Sequence, residues 1–142
     1  MTVHEFNREG ARRFRDLLPQ GAKVLVSEAS DLPFFVEMGF KAISFDASEQ
    51  KIGFFNPPRA SVDGIWADRS LFHYPPTLCL RAVQSFFAAL KPKGILFISF
   101  LEHDQYTLEE YESLVRQSGF EPMMQGRNEK DPSQIAILAR RI

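Results

Sequence analysis

The sequence has 142 residues, 44% of them hydrophobic, and a formal net charge of −1. That length fits one domain, expected over residues 1–142, with a core large enough to need no disulfide or metal staple. Acids and bases are intermixed, which excludes the basic stripe of a nucleic-acid surface. No apolar run approaches the roughly 18–20 residues that span a bilayer and no signal-peptide pattern opens the chain, so neither nucleic acid nor membrane is an expected partner and a reducing cytoplasm is the expected compartment.

The periodicity predicts a first amphipathic helix over 4–18, with Phe6, Phe14, Leu17 and Leu18 near one face. Arg8, Arg12, Arg13 and Arg15 crowd the same segment. They suit a solvated helix face better than a phosphate-binding patch. Residues 23–27 (KVLVS) form a short β-branched run, too apolar for a half-exposed strand and suited to burial on both faces. Asp31 is placed to cap a helix through about Met38, with Pro33 in its first turn and Gly39 at its end.

Residues 42–46 (AISFD) and 62–67 (VDGIWA) predict the second and third strands. Thr77 is placed to cap a helix running to about Leu90. Cys79, the only cysteine, falls in its apolar stretch and reads as a small hydrophobe. The Lys91-Pro92-Lys93-Gly94 stretch is expected to break that helix, and residues 94–101 (GILFISFL) follow as the most apolar strand and hence the central one. Thr107 with Glu110 forms a capping box for a helix to about Ser118, closed by Gly119. Residues 120–125 and 134–139 then predict an antiparallel hairpin.

This alternation predicts an α/β fold of the Rossmann-like, doubly wound kind. The sheet is mostly parallel with a C-terminal antiparallel hairpin. Ligands of such sheets bind outside the carboxyl ends of the strands. The G-x-G-x-x-G that a dinucleotide requires after the first strand is absent. His4 and His103 have no metal-ligand spacing, so no metal is expected.

Several segments resemble the class I S-adenosylmethionine (SAM)-dependent methyltransferases of the small-substrate branch. Residues 63–75 (DGIWADRSLFHYP) are similar to that family's fourth strand and following loop, F-D-x-I-W-A leading into S-L-x-H. Residues 90–99 (LKPKGILFIS) are similar to its L-K-P-G-G turn into the fifth strand. Residues 106–110 (YTLEE) with Ser118-Gly119-Phe120 resemble its Y-T-x-E-E … A-G-F helix. Phe45-Asp46-Ala47-Ser48 resembles the end of its second strand. The resemblance runs from about Gly21 to Arg141.

It also has two gaps. The family's D-x-G-x-G turn cradles the cofactor, yet Val26-Ser27-Glu28-Ala29-Ser30-Asp31-Leu32-Pro33 contains no glycine, and Pro33 lacks an N–H. Between Ser48 and Asp63 the family's third strand has no room, so the sheet is expected to be truncated there.

The resemblance implies roles for five residues. Asp46 matches the carboxylate that accepts the ribose hydroxyls, a solvated strand-end Asp being the alternative. Glu28 stands in for the missing acidic residue of the first turn, an exposed turn residue being the equal alternative. Ala67 and Asp68 border the methyl-bearing sulfonium, with loop solvation as the plainer reading of Asp68. His73 is placed for a general base or for a packing contact. Tyr106 matches a position near the active-site mouth, with a core contact as the simpler account. Phe34, Phe35, Phe54 and Phe55 flank the expected crevice, where they would fill the nucleotide's volume or serve as core.

Two functions remain open. One is a degenerate methyltransferase-like protein with lost or weakened SAM binding, acting as a scaffold by dimerising or by docking on an active methyltransferase relative. The other is an active SAM-dependent methyltransferase on a small molecule.

Overall fold

The structure, a computed structural model, describes residues 8–46, 56–72, 74–103 and 106–142. Its elements run in the order α1 (Arg8–Asp16), β1 (Lys23–Val26), a 3-10 turn (Ala29–Asp31), α2 (Leu32–Glu37), β2 (Lys41–Ser44) and β3 (Val62–Ala67). There follow α3 (Pro76–Ala89), β4 (Leu90–Leu101), α4 (Leu108–Gln117), β5 (Phe120–Arg127) and β6 (Gln134–Arg141). The described strands form one six-stranded sheet in the order β2-β1-β3-β4-β6-β5. β1 pairs in parallel with β2 and β3, and β3 with β4. β6 runs antiparallel to both β4 and β5. β4 is central, as its apolar run predicts. Among the described residues no strand lies beyond β2, which is the edge of the described sheet.

Successive strand residues point to opposite faces, so each strand feeds two layers. Val24, Val26, Trp66, Ile95 and Phe97 meet α1 and α2 on one face. Leu25, Ile65, Leu96, Ile98 and Phe100 meet α3 and α4 on the other. The first layer is aromatic: Trp66 stacks on Phe97 at 3.8 Å, and Phe14 and Phe35 approach Trp66 at 5.4 and 5.2 Å. Two glycines bring α1 this close. A Cβ on Gly10 would lie 2.5 Å from Phe97 Cε2, and one on Gly64 would lie 2.8 Å from Phe14 Cζ.

Some boundaries differ from the expected ones. The helix expected over 31–38 is a 3-10 turn followed by a six-residue α-helix. Asp31 holds the cap position, but its side chain makes no cap bond, because its own backbone is already helical at φ −88, ψ −11. α3 starts at Pro76 with Pro75 as its cap, so Thr77 lies inside the first turn. The capping box of Thr107 and Glu110 forms.

The α3 helix ends at Ala89, just before the Lys91-Pro92-Lys93-Gly94 stretch, but the strand expected from Gly94 starts earlier. β4 begins at Leu90, opposite Val62, and the register shifts before Gly64 meets Ile95. A bulge absorbs the extra residues, with Lys93 left-handed at φ 67. The Arg141 guanidinium donates to Leu90 O and lies over the Phe87 ring at 4.2 Å.

On α1, Arg12 and Arg13 each reach Glu9 at 3.1 Å, and Arg15 reaches Asp16 at 3.1 Å. This is the solvated-face arrangement. Among the described residues no helix is long and apolar enough to cross a membrane.

Candidate functional site

Three strand ends converge at one edge of the fold. β1 stops at Val26, and the Ser27 amide donates to Trp66 O of β3 at 3.0 Å. The Ser27 hydroxyl donates to Asp68 O at 3.3 Å, which stitches the first turn to the end of β3. The Phe45 amide donates to Val26 O at 3.0 Å, so β2's exit runs beside the same turn. Between them opens a cleft of about 480 Å³. Its wall carries hydroxyls from Ser27, Ser44 and Ser70 and carboxylates from Glu28 and Asp46. Arg69 supplies a guanidinium, and Phe45 an apolar patch.

Behind this wall lies a buried carboxylate. Asp68 is 0% exposed. The Ser99 hydroxyl donates to its Oδ1 at 2.9 Å and accepts the Arg69 amide at 2.5 Å. Arg69 Nε stands 3.5 Å from Asp68 Oδ2, with a third of the Arg69 side chain exposed. Arg69 holds a left-handed backbone at φ 59, a conformation rarely adopted outside glycine, asparagine and aspartate.

Of the residues singled out in the sequence, Glu28 and Asp46 line this cleft together. Ala67 is buried in the core facing α3 and α4, and Asp68 lies behind the wall. His73, Phe54 and Phe55 lie outside the described residues. Phe34 and Phe35 do not fill the cleft: Phe35 is fully buried under α1 beside Phe14 and Trp66, and Phe34 packs edge-on against it at 5.2 Å.

Tyr106 also lies away from the cleft. It exchanges backbone hydrogen bonds with His103 and lines a second groove of about 340 Å³ between α3 and α4. Burial pushes the Cys79 thiol up to about 12, which removes it as a nucleophile. Arg69 and the three serines were not identified as site residues from sequence. Arg69 lies inside the A-D-R-S-L loop motif, and that position was the available signal.

No family model matches the chain and no curated protein does. Solved structures do. A Burkholderia thailandensis 1,6-didemethyltoxoflavin-N1-methyltransferase, with bound 1,6-didemethyltoxoflavin and S-adenosylhomocysteine, superposes with a TM-score of 0.80 at 20% identity, over 99% of this chain and 80% of that one. A SAM-dependent methyltransferase from Mesorhizobium loti gives 0.75 at 13% identity, over 92% of this chain and 96% of that one. A Haloferax volcanii protein in complex with the Trm112 methyltransferase activator gives 0.66 at 12% identity, over 92% and 88%.

The fold is that of the class I SAM-dependent methyltransferases.

In this methyltransferase fold the first turn is where a cofactor's carboxylate would seek backbone N–H groups. Here three of those groups are already bonded. The Ser27 amide serves Trp66 O, the Asp31 amide serves Glu28 O, and the Leu32 amide serves Ala29 O. Pro33 has none to offer. At the other end of the cleft, Asp46 is exposed just past β2, where a carboxylate can accept two adjacent hydroxyls. The residues present therefore fit the ribose end of SAM and not a glycine cradle for its amino-acid end.

Proposed function

We propose that the chain is a degenerate methyltransferase-fold protein with weakened SAM binding in the Ser27–Asp46 cleft, its scaffold serving interaction with another protein. The observation that carries this reading is the 27–33 turn, which contains no glycine, ends on Pro33 with no N–H, and has its Ser27, Asp31 and Leu32 amides bonded to Trp66 O, Glu28 O and Ala29 O. A hydrogen bond to a charged group contributes about 1.5–3 kcal/mol, so losing one such bond weakens a ligand roughly 10- to 150-fold. Calorimetric titration with SAM and with S-adenosylhomocysteine is expected to give dissociation constants in the high-micromolar to millimolar range. Submicromolar binding overturns the weakening, and no heat at millimolar ligand overturns the binding.

The interaction half of the reading is supported by β2. It is a four-residue strand at the edge of the described sheet, with Ile43 54% exposed. Such an edge invites pairing with a second copy or with an active methyltransferase relative. Light scattering after size exclusion should find a dimer that Ile43→Lys converts to monomer. A wild-type monomer that captures no methyltransferase relative counts against it.

The openness of the cleft favours a second reading, an active methyltransferase on a small molecule with His73 as the base. SAM supplies an electrophilic methyl group when bound. This reading expects transfer of labelled methyl from SAM to a small-molecule acceptor, lost in His73→Ala. Absence of transfer to any acceptor in a metabolite extract removes it.

A further inference from the structure

We infer that Arg69 is the carboxylate-binding group of the cleft, holding the α-amino-acid end of the ligand that the 27–33 turn does not cradle. The inference rests on the reading that this cleft binds SAM or its demethylated product.

Three observations converge on Arg69. The first is the distribution of charge. Among the described lining residues Arg69 is the cation, while Glu28 and Asp46 are the anions, with serine hydroxyls between. A wall of that kind suits a ligand with one anionic group and several cationic or hydroxyl donors. An anion has its complement at Arg69, and a planar guanidinium matches a carboxylate geometrically.

The second is anchoring. Arg69 Nε stands 3.5 Å from Oδ2 of Asp68, and Asp68 Oδ1 is fixed by the Ser99 hydroxyl at 2.9 Å. The Asp68 side chain is 1% exposed and that of Arg69 33%. The base of the guanidinium is thus tied to a buried carboxylate, and its residue forms part of the cleft wall. At 3.5 Å the Nε contact is one of charge and longer than a hydrogen bond. Asp68 acts here through Arg69, as a positioning residue.

The third is the backbone. Arg69 is held left-handed at φ 59, with its amide donating to Ser99 Oγ at 2.5 Å. Glycine would take that conformation without strain. An arginine kept in a strained conformation at the mouth of a cleft points to work for its side chain. The same left-handed residue sits next to Ser70, whose hydroxyl reaches back to Ala67 O at 3.4 Å and keeps the turn tight.

The test compares two ligands on the intact chain by calorimetry: S-adenosylhomocysteine, and its carboxamide, which differs only in lacking the anionic carboxylate. The wild-type chain should bind the acid at least about tenfold more tightly than the amide, the scale of one charge-assisted hydrogen bond. R69Q should bring the two affinities together by weakening the acid and leaving the amide unchanged. R69K keeps the charge beside Asp68 without the fork, so it guards against loss of folding in R69Q. It should shrink the ratio about threefold or more.

A wild-type ratio near one overturns the inference, as does a tenfold ratio that survives in R69Q or R69K. Either result leaves cofactor binding itself intact, since the acid still binds. Failure of the wild-type chain to bind either ligand at millimolar concentration overturns both the inference and the binding on which it rests.

Discussion

Lys91 Nζ meets Asp63 Oδ1 at 3.2 Å, and the other oxygen of Asp63 accepts the Lys23 amide at 2.9 Å. One carboxylate therefore ties the starts of β1 and β3 to the bulge in β4. Asp63 and Lys91 both belong to the motifs that carry the methyltransferase resemblance, yet they lie at the end of the sheet opposite the cleft. Their contacts are architectural. Asp63→Ala is expected to destabilise the chain by about 1–2 kcal/mol, from a charge-assisted amide bond plus a half-exposed ion pair. Urea unfolding checks this, and the binding of S-adenosylhomocysteine should not change.

Lys93 carries a left-handed backbone at φ 67 in the position where the resembling turn, L-K-P-G-G, has glycine. A side chain in that conformation costs about 1–2 kcal/mol, part of which glycine's greater freedom in the unfolded chain takes back. Lys93→Gly should therefore stabilise the chain by roughly 0.5–1 kcal/mol and raise the melting temperature by about 1–4 °C. A lower melting temperature contradicts the strain.

Glu102 joins three segments beyond β4. It receives Arg127 Nη1 and Nη2 at 2.5 and 3.0 Å, and its Oε2 accepts the Leu108 amide at the start of α4 at 2.7 Å. The Arg127 hydrogen bonds, then that amide, hold its carboxyl below the ordinary value of 4.5. A carboxyl lowered on folding contributes stability that is complete above its ordinary value and is lost as pH falls through the lowered one. Glu102→Gln should be less stable than wild type above the ordinary carboxyl value, and the gap should narrow as pH falls below 4.5. A gap independent of pH sinks this account.

Cys79 is fully buried in α3, with its thiol directed at Leu71 O and Tyr74 O and pushed up to about 12 by burial. A disulfide reagent such as Ellman's reagent should leave it untouched in the folded chain at neutral pH and react fully in denaturant. Rapid reaction in the folded state would show that α3 opens locally.

Sequence pattern and structure agree where one physical cause dominates. The run 62–67 is bounded identically in both, because five of its six residues are buried in the sheet. They part where a distant contact decides the outcome. The Lys91–Gly94 stretch ends the helix as its Pro and Gly predict, but pairing of Leu90 with Val62 starts the strand before Gly94. Arg69 shows no local sign of a left-handed backbone. The Ser99 hydroxyl, on another strand, accepts its amide. The burial of Asp68 is hidden from sequence in the same way, since a charged residue in a loop ordinarily faces water. Phe34 and Phe35 adjoin the turn in sequence, but α2 turns Phe35 beneath α1, away from the cleft.

The sheet also sorts the chain's chromophores. The single tryptophan, Trp66, lies on the face covered by α1 and α2. Tyr74, Tyr106 and Tyr111, the three tyrosines, all pack on the face covered by α3 and α4. Each layer thus carries its own optical reporter without any label. Tryptophan emission follows the release of α1 from Phe97, and tyrosine absorbance follows the loosening of α4 from Phe100. Coincident transitions would mean that the two layers melt as one cooperative unit, and separated ones would show which layer opens first.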